Sequence, residues 1–264
     1  MTFPPGASLL QISYADRLVA TSHVFADFAS LGVPDERIVM PYSMWAVDTA
    51  DGPLLVDTGF HVPDAYWVGD AQWRPVGDAV RAAGIEPQEV TRVVLTHLHF
   101  DHAGGLGLFR NARVFVARRE LEHWEGRSAE ELRRGFVDPA HLETLRRAGA
   151  EGRLELVEGR AEVAPGVTMI PAPGHTPGQC AVLVETPAGR RILASDAAHF
   201  FEQLELGWRF FAHDDAAAMD ASIAMLKRLA AEAGAPIVPG HDVRVRERYP
   251  ALAGPAATFT TVIA

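Results

Sequence analysis

Residues 96–105 read THLHFDHAGG and directly follow the apolar run VVL at 93–95. A buried strand ordinarily ends in small or turn-forming residues. This one ends in His97, His99, Asp101 and His102, four side chains with lone pairs to give. Crowded together and withdrawn from water, such groups are destabilising unless something positive sits among them. Imidazole and carboxylate together suit a divalent ion of intermediate hardness such as zinc. The alternate spacing offers His97 and His99 to one ion, and Asp101 with His102 to a second.

Two ions need more donors than one loop supplies, and the rest of the chain offers them at other strand ends. His175 stands in APGHTPG, Asp196 in LASDAAH and His241 in VPGHD. Gly174 and Gly240 precede the two histidines, and a residue without Cβ lets the backbone turn sharply there. Short β-rich runs lie at 54–59, 93–97, 114–117, 167–175, 180–185, 191–196 and 236–241, several of them nearly continuous apolar segments. Such runs suit strands covered on both faces. Helices are expected over 75–83, where Pro75 opens and Gly84 closes the segment, over 214–232, and within the charged region 118–150. The pattern is mixed α/β, with chemistry at the C-terminal ends of strands, where open sheets of this class carry their sites.

At 264 residues and 48% hydrophobic content the chain can bury a substantial core, and one domain over 1–264 is the simplest division. A formal charge of −10 opposes a nucleic-acid surface. No stretch approaches the roughly 18 apolar residues of a membrane span, and the start lacks a secretory pattern. Cys180, the single cysteine, allows no intramolecular disulfide and excludes a cysteine-based zinc site. A cytoplasmic protein acting on a small, weakly charged substrate is expected. The apolar tail ALAGPAATFTTVIA leaves two roles open, covering a sheet edge or meeting a partner in a homodimer. His23, His61, His123, His141 and His213 are read as structural residues.

The ordered set HxHxDH, His175, Asp196, His241, with Asp57 in an earlier VDTG, resembles the metallo-β-lactamase superfamily from about residue 40 to 250. That resemblance implies a four-layer αββα sandwich, two mixed sheets with outer helices. It also implies two divalent metal ions, zinc by default. His97, His99 and His175 would take one ion, Asp101, His102 and His241 the other, and Asp196 would bridge them. Asp57 is expected to orient a ligand by hydrogen bonding instead of binding metal.

Within the superfamily, HLHFDHAGG, LASDAAHFFE and the closing PGHD resemble the N-acyl homoserine lactone lactonases. The implied activity is quorum-quenching hydrolysis of a lactone or related ester by a hydroxide held between the ions, with Asp101 as ligand and proton shuttle. A glyoxalase II-like thioesterase and a mono-iron persulfide dioxygenase are the alternatives; the first would need a C-terminal helical extension, and 23 residues of the sequence follow His241. Several lactonases of this group carry a tyrosine three residues after the bridging aspartate. Here His199 stands there, a second candidate catalytic residue, expected either to donate a hydrogen bond in the cleft or to pack on Phe200 and Phe201. Trp45, Phe60, Trp67, Phe200, Phe201 and Phe210 are candidate lining for an apolar pocket.

Overall fold

The computed structural model describes residues 3–60 and 65–264, so His61 lies outside the described residues. The chain opens with a long antiparallel hairpin, β1 (Leu9–Ala20) and β2 (Arg37–Val47). Then come β3 (Leu54–Val56), β4 (Gln72–Trp73), β5 (Arg92–Leu95), β6 (Arg113–Ala117) and β7 (Leu154–Val157). The second half holds β8 (Ala161–Ala164), β9 (Val167–Pro171), β10 (Cys180–Thr186), β11 (Gly189–Ser195), β12 (Ile237–Pro239) and β13 (Thr260–Val262).

The first sheet runs β13-β1-β2-β3-β5-β6-β7, with β4 also on β1. Its β3-β5-β6-β7 portion is parallel and the remainder antiparallel. The second runs β12-β11-β10-β9-β8, antiparallel except for the β11-β12 pair. Both sheets are therefore mixed. The tail supplies β13 and covers the β1 edge, the first of the two roles left open for it.

Side-chain alternation divides the first sheet between two cores. Leu55, Val93, Leu95, Val114 and Val116 join Val80, Leu142 and Leu145 from helices on one face. Leu54, Val56, Val94 and Phe115 join Met169, Val182 and Leu193 of the second sheet on the other. Ile223 and Leu226, from the helix Ala216–Ala233, complete the second core. This is the helix, sheet, sheet, helix layering the resemblance implied. Each fully buried aliphatic contributes about 1.5–3 kcal/mol, and most of the strand runs are of this kind.

The long helix begins at Ala216, and of the two aspartates at its expected start, Asp214 and Asp215, it is Asp215 that caps it, accepting from Ala218 N at 3.0 Å. Val76–Ala82 is the first predicted helix, and 118–150 holds three, Arg118–Trp124, Ala129–Arg134 and Pro139–Ala150. Strands end earlier than expected where a candidate ligand or its expected support follows: β3 stops at Val56, β5 at Leu95, β9 at Pro171 and β12 at Pro239. The residues beyond leave the ladder and turn into a common space. Among the described residues, no helix is long and apolar enough to cross a membrane.

Candidate metal centre

Two backbone links bring the strand ends together. Asp57 N donates to Val94 O at 2.8 Å, and Cys180 N donates to Thr96 O at 2.9 Å, tying the ends of the two sheets. Asp57 and Ser195 sit in the left-handed region, φ +66° and +47°. Such strain costs of order 1–3 kcal/mol and recurs at sites whose surroundings enforce it. Gly174 has φ +138°, and a Cβ there would lie 2.3 Å from Met219 N, so the turn before His175 depends on glycine.

All seven candidate ligands converge and are buried, none more than 7% exposed. Ligand atoms of His97, His99 and His175 lie within 4.8 Å of one another, as do those of Asp101, His102 and His241. Asp196 stands between the groups. Its Oδ2 is 3.2 Å from His175 Nε2 and 3.8 Å from His97 Nε2, while Oδ1 is 3.0 Å from His241 Nε2 and 3.3 Å from His102 Nε2. One carboxylate oxygen thus faces each half.

The outer nitrogens explain why the inner ones point inward. His175 Nδ1 donates to Ala212 O at 2.7 Å, His241 Nδ1 to Pro41 O at 2.9 Å and His102 Nδ1 to Asp57 Oδ2 at 2.8 Å. His97 Nδ1 is 3.1 Å from Thr96 Oγ1, whose own proton goes to Asp57. With Nδ1–H committed, each of these rings has only Nε2 to turn inward, and offers a lone pair there when neutral. The Nε2 atoms of His97 and His102 are buried without a hydrogen-bond partner. Convergent lone pairs, two of them orphaned, fit a cation and little else.

The electrostatics divide the centre as the geometry does. Burial holds His97, His99 and His175 below the usual imidazole range, the first two well below it. Burial also opposes charge on His102 and His241, but Asp196 and Asp101 outweigh it and raise both. Burial works against the Asp196 and Asp101 carboxylates too, and the surrounding imidazoles overcome it, keeping Asp196 well below the carboxylate range and Asp101 below it. The Cys180 thiol, pushed up to about 12 by burial, is no nucleophile.

Asp57 is fully buried and occupies the orienting position. It accepts from Thr96 N at 2.8 Å, from Thr96 Oγ1, from His102 Nδ1 and from Ser195 Oγ at 3.2 Å. Asp57→Asn turns an NH2 toward these donors and should weaken metal binding about 10–100-fold, the usual effect of losing such a support. Competition against a chelator measures it; an unaltered affinity would reduce Asp57 to a fold residue.

His199 is 1% exposed and its ring stacks on Phe210, centroids 3.5 Å apart, not on Phe200 or Phe201. Its Nε2 is 2.9 Å from Asp196 Oδ2, and neither ring nitrogen makes a well-aligned hydrogen bond to the protein. His175, Asp196 and His199 form a further group with ligand atoms within 4.8 Å.

Above the centre lies a cavity of about 290 Å³. Trp67 and Phe210 line it as expected, joined by Val19, Met40, Tyr42, Phe136 and Phe211, with Arg17 and His23 also in its wall. His23, read as a structural residue, lies in the cavity wall and belongs to none of the ligand groups among the described residues. Trp45 and Phe201 belong instead to the core between the sheets, and Phe60 and Phe200 to the other core. Residues missed from sequence include Thr96 and Ser195, whose hydroxyls meet at 2.9 Å, and Tyr14, which donates to Asp101 O at 2.7 Å. The small hydroxyl residue just before His97 and before Asp196 was the available signal.

Comparison with known proteins agrees with this architecture. A model of the metallo-beta-lactamase superfamily matches residues 37–241. An N-acyl homoserine lactonase from Bacillus sp. is 31% identical over 225 residues, 80% of this chain and 84% of the relative. The N-acyl homoserine lactonase AttM of Azorhizobium caulinodans is 30% identical over 226 residues, 77% of this chain and 82% of the relative. A mutant of AiiA from B. thuringiensis, solved with N-decanoyl-L-homoserine at its active site, superposes with a TM-score of 0.72 and 27% identity, covering 94% of this chain and 97% of that one. With the matched region spanning most of its length, the chain belongs to the metallo-beta-lactamase superfamily and resembles the N-acyl homoserine lactonases within it.

Proposed function

We propose that this chain is a metal-dependent hydrolase that opens the ring of N-acyl homoserine lactones or related lactones, using two divalent ions, with zinc the natural occupant. The observation that supports this most is a floor of Nε2 atoms gathered about both oxygens of Asp196, beneath a cavity of about 290 Å³ walled in part by Trp67, Phe136, Phe210 and Phe211. A lactone suits both parts, its ring ester facing the polar floor and its acyl chain the apolar wall. In this reading His97, His99 and His175 hold one ion, Asp101, His102 and His241 the other, and Asp196 spans them. An imidazole and carboxylate set of this kind favours zinc.

When bound, the ions supply an acidified water and Lewis acidity at the carbonyl. The chain's own residues do the rest. Asp101, ionised because His102 and His241 outweigh its burial, takes up a proton and returns it to the ring oxygen as that oxygen leaves. His199 donates an N–H to the substrate oxygen. Trp67, Phe136, Phe210 and Phe211 keep water from the ester. We read residues 1–264 as one domain, working in the cytoplasm, consistent with the single free Cys180.

Ring opening in isotopically labelled water tests the reaction. The new carboxylate should carry one solvent oxygen, the purified protein should hold about two ions per chain, and chelation should abolish turnover. An unlabelled product would rule out hydrolysis, and full activity with a single ion would rule out the dinuclear centre.

A further inference from the structure

Glu120, in the helix Arg118–Trp124, is a fully buried carboxylate outside the candidate ligand set. Its two oxygens serve two different segments. Oε1 accepts from Leu98 N at 3.0 Å and from Trp124 Nε1 at 2.8 Å. Oε2 accepts from Thr176 Oγ1 at 2.7 Å and from Gly178 N at 3.0 Å. Leu98 lies between His97 and His99, Thr176 follows His175, and Trp124 meets the His99 ring edge-on at a centroid distance of 6.0 Å. The loop beyond His175 presses against the helix so tightly that a Cβ on Gly178 would lie 2.2 Å from Glu120 N.

Burying a carboxylate is expensive unless its lone pairs are filled, and here four donors fill them. Every one of those donors borders the group His97, His99 and His175. Asp101, His102 and His241 are held by other means, Tyr14 on Asp101 O, Asp57 on His102 Nδ1 and Pro41 O on His241 Nδ1. We infer that Glu120 is a positioning residue that fixes the His97–His99 segment and the His175 loop at the separation their imidazoles need to share one ion. This inference rests on the proposed function, which gives those three histidines a common ion.

Glutamine at 120 keeps the size of the side chain but turns an NH2 toward one pair of donors. Thr176 can rotate its hydroxyl to accept from that NH2, whereas Gly178 N–H cannot, so the His175 loop should be the one released. Stepwise metal titration of the metal-free protein reads the outcome. The wild type should bind two ions; Glu120→Gln should bind one with wild-type affinity and the other about 10–100-fold more weakly, as for other supports of metal ligands. Thr176→Val, which removes a single donor from Oε2, should weaken the same ion by less, and it carries the test if the glutamine variant does not fold. Two unaltered affinities in the variants would overturn the inference, as would equal weakening of both ions together with a lower Tm of the metal-free protein. A wild type that binds no metal would instead count against the proposed function.

Discussion

Asp196→Ala should lose both ions together, and turnover with them. The expectation follows from the two-sided placement of its carboxylate, with Oδ2 turned to His175 and His97 and Oδ1 to His241 and His102. Alanine removes a donor from each half and leaves five imidazoles and Asp101 without the central negative charge. The loss of turnover should exceed the roughly 10²–10³-fold effect of deleting one transition-state donor, because the whole centre goes. Elemental analysis and stepwise titration read the result directly. Retention of one ion at wild-type affinity would mean that Asp196 serves a single half, and the dinuclear arrangement would need another bridge. Asp196→Asn, which keeps an oxygen but no charge, should fall between the two, holding one ion weakly.

The seven candidate ligands were legible because each breaks the pattern around it. A histidine or aspartate at the end of an apolar strand has no packing reason to be there, and Gly174 and Gly240 mark sharp turns before two of them. The supports were harder to read. Glu120 stands in RRELEHWE, which has the composition of a solvated helix face, and the approach of the His97–His99 segment and the His175 loop buries it. Asp57 was readable from its place after LLV, although its four hydrogen bonds depend on Thr96 and Ser195 arriving from other strands.

The β1-β2 hairpin was missed for a different reason. Covered on both faces in its first half, LLQISYADRLVA does not alternate between apolar and polar, and its buried Ser13 is satisfied by Ser43 at 2.9 Å across the pair. Much of the cavity wall went with it, since Val19, Met40 and Tyr42 come from this hairpin. Aromatic identity was equally uninformative about direction. Trp45 neighbours Met44 and Ala46 in β2 but faces the opposite core, as strand alternation requires, and so turns away from the cavity that Met40 and Tyr42 line.

His199→Phe should lower kcat/KM by roughly 10²–10³-fold, about 2.7–4 kcal/mol, while both ions stay bound. Burial dominates at this ring and holds its pKa down to about 3 against the pull of Asp196, so the imidazole is neutral and carries one N–H. Stacked on Phe210 in the cavity wall, it is held rigidly, and a fixed donor needs no reorganisation when charge develops on the substrate oxygen. Phenylalanine preserves the stacking and deletes the N–H, which separates donation from packing. His199→Tyr should recover part of the loss, since a phenol can donate from a similar position. Metal content must be measured on the same samples, because the proximity of His199 Nε2 to Asp196 Oδ2 and His175 also suits a ligand. Turnover that falls in step with metal content would assign His199 to the ion held by His175. Unaltered kinetics with both ions in place would leave it as a packing partner of Phe210 and remove it from the reaction.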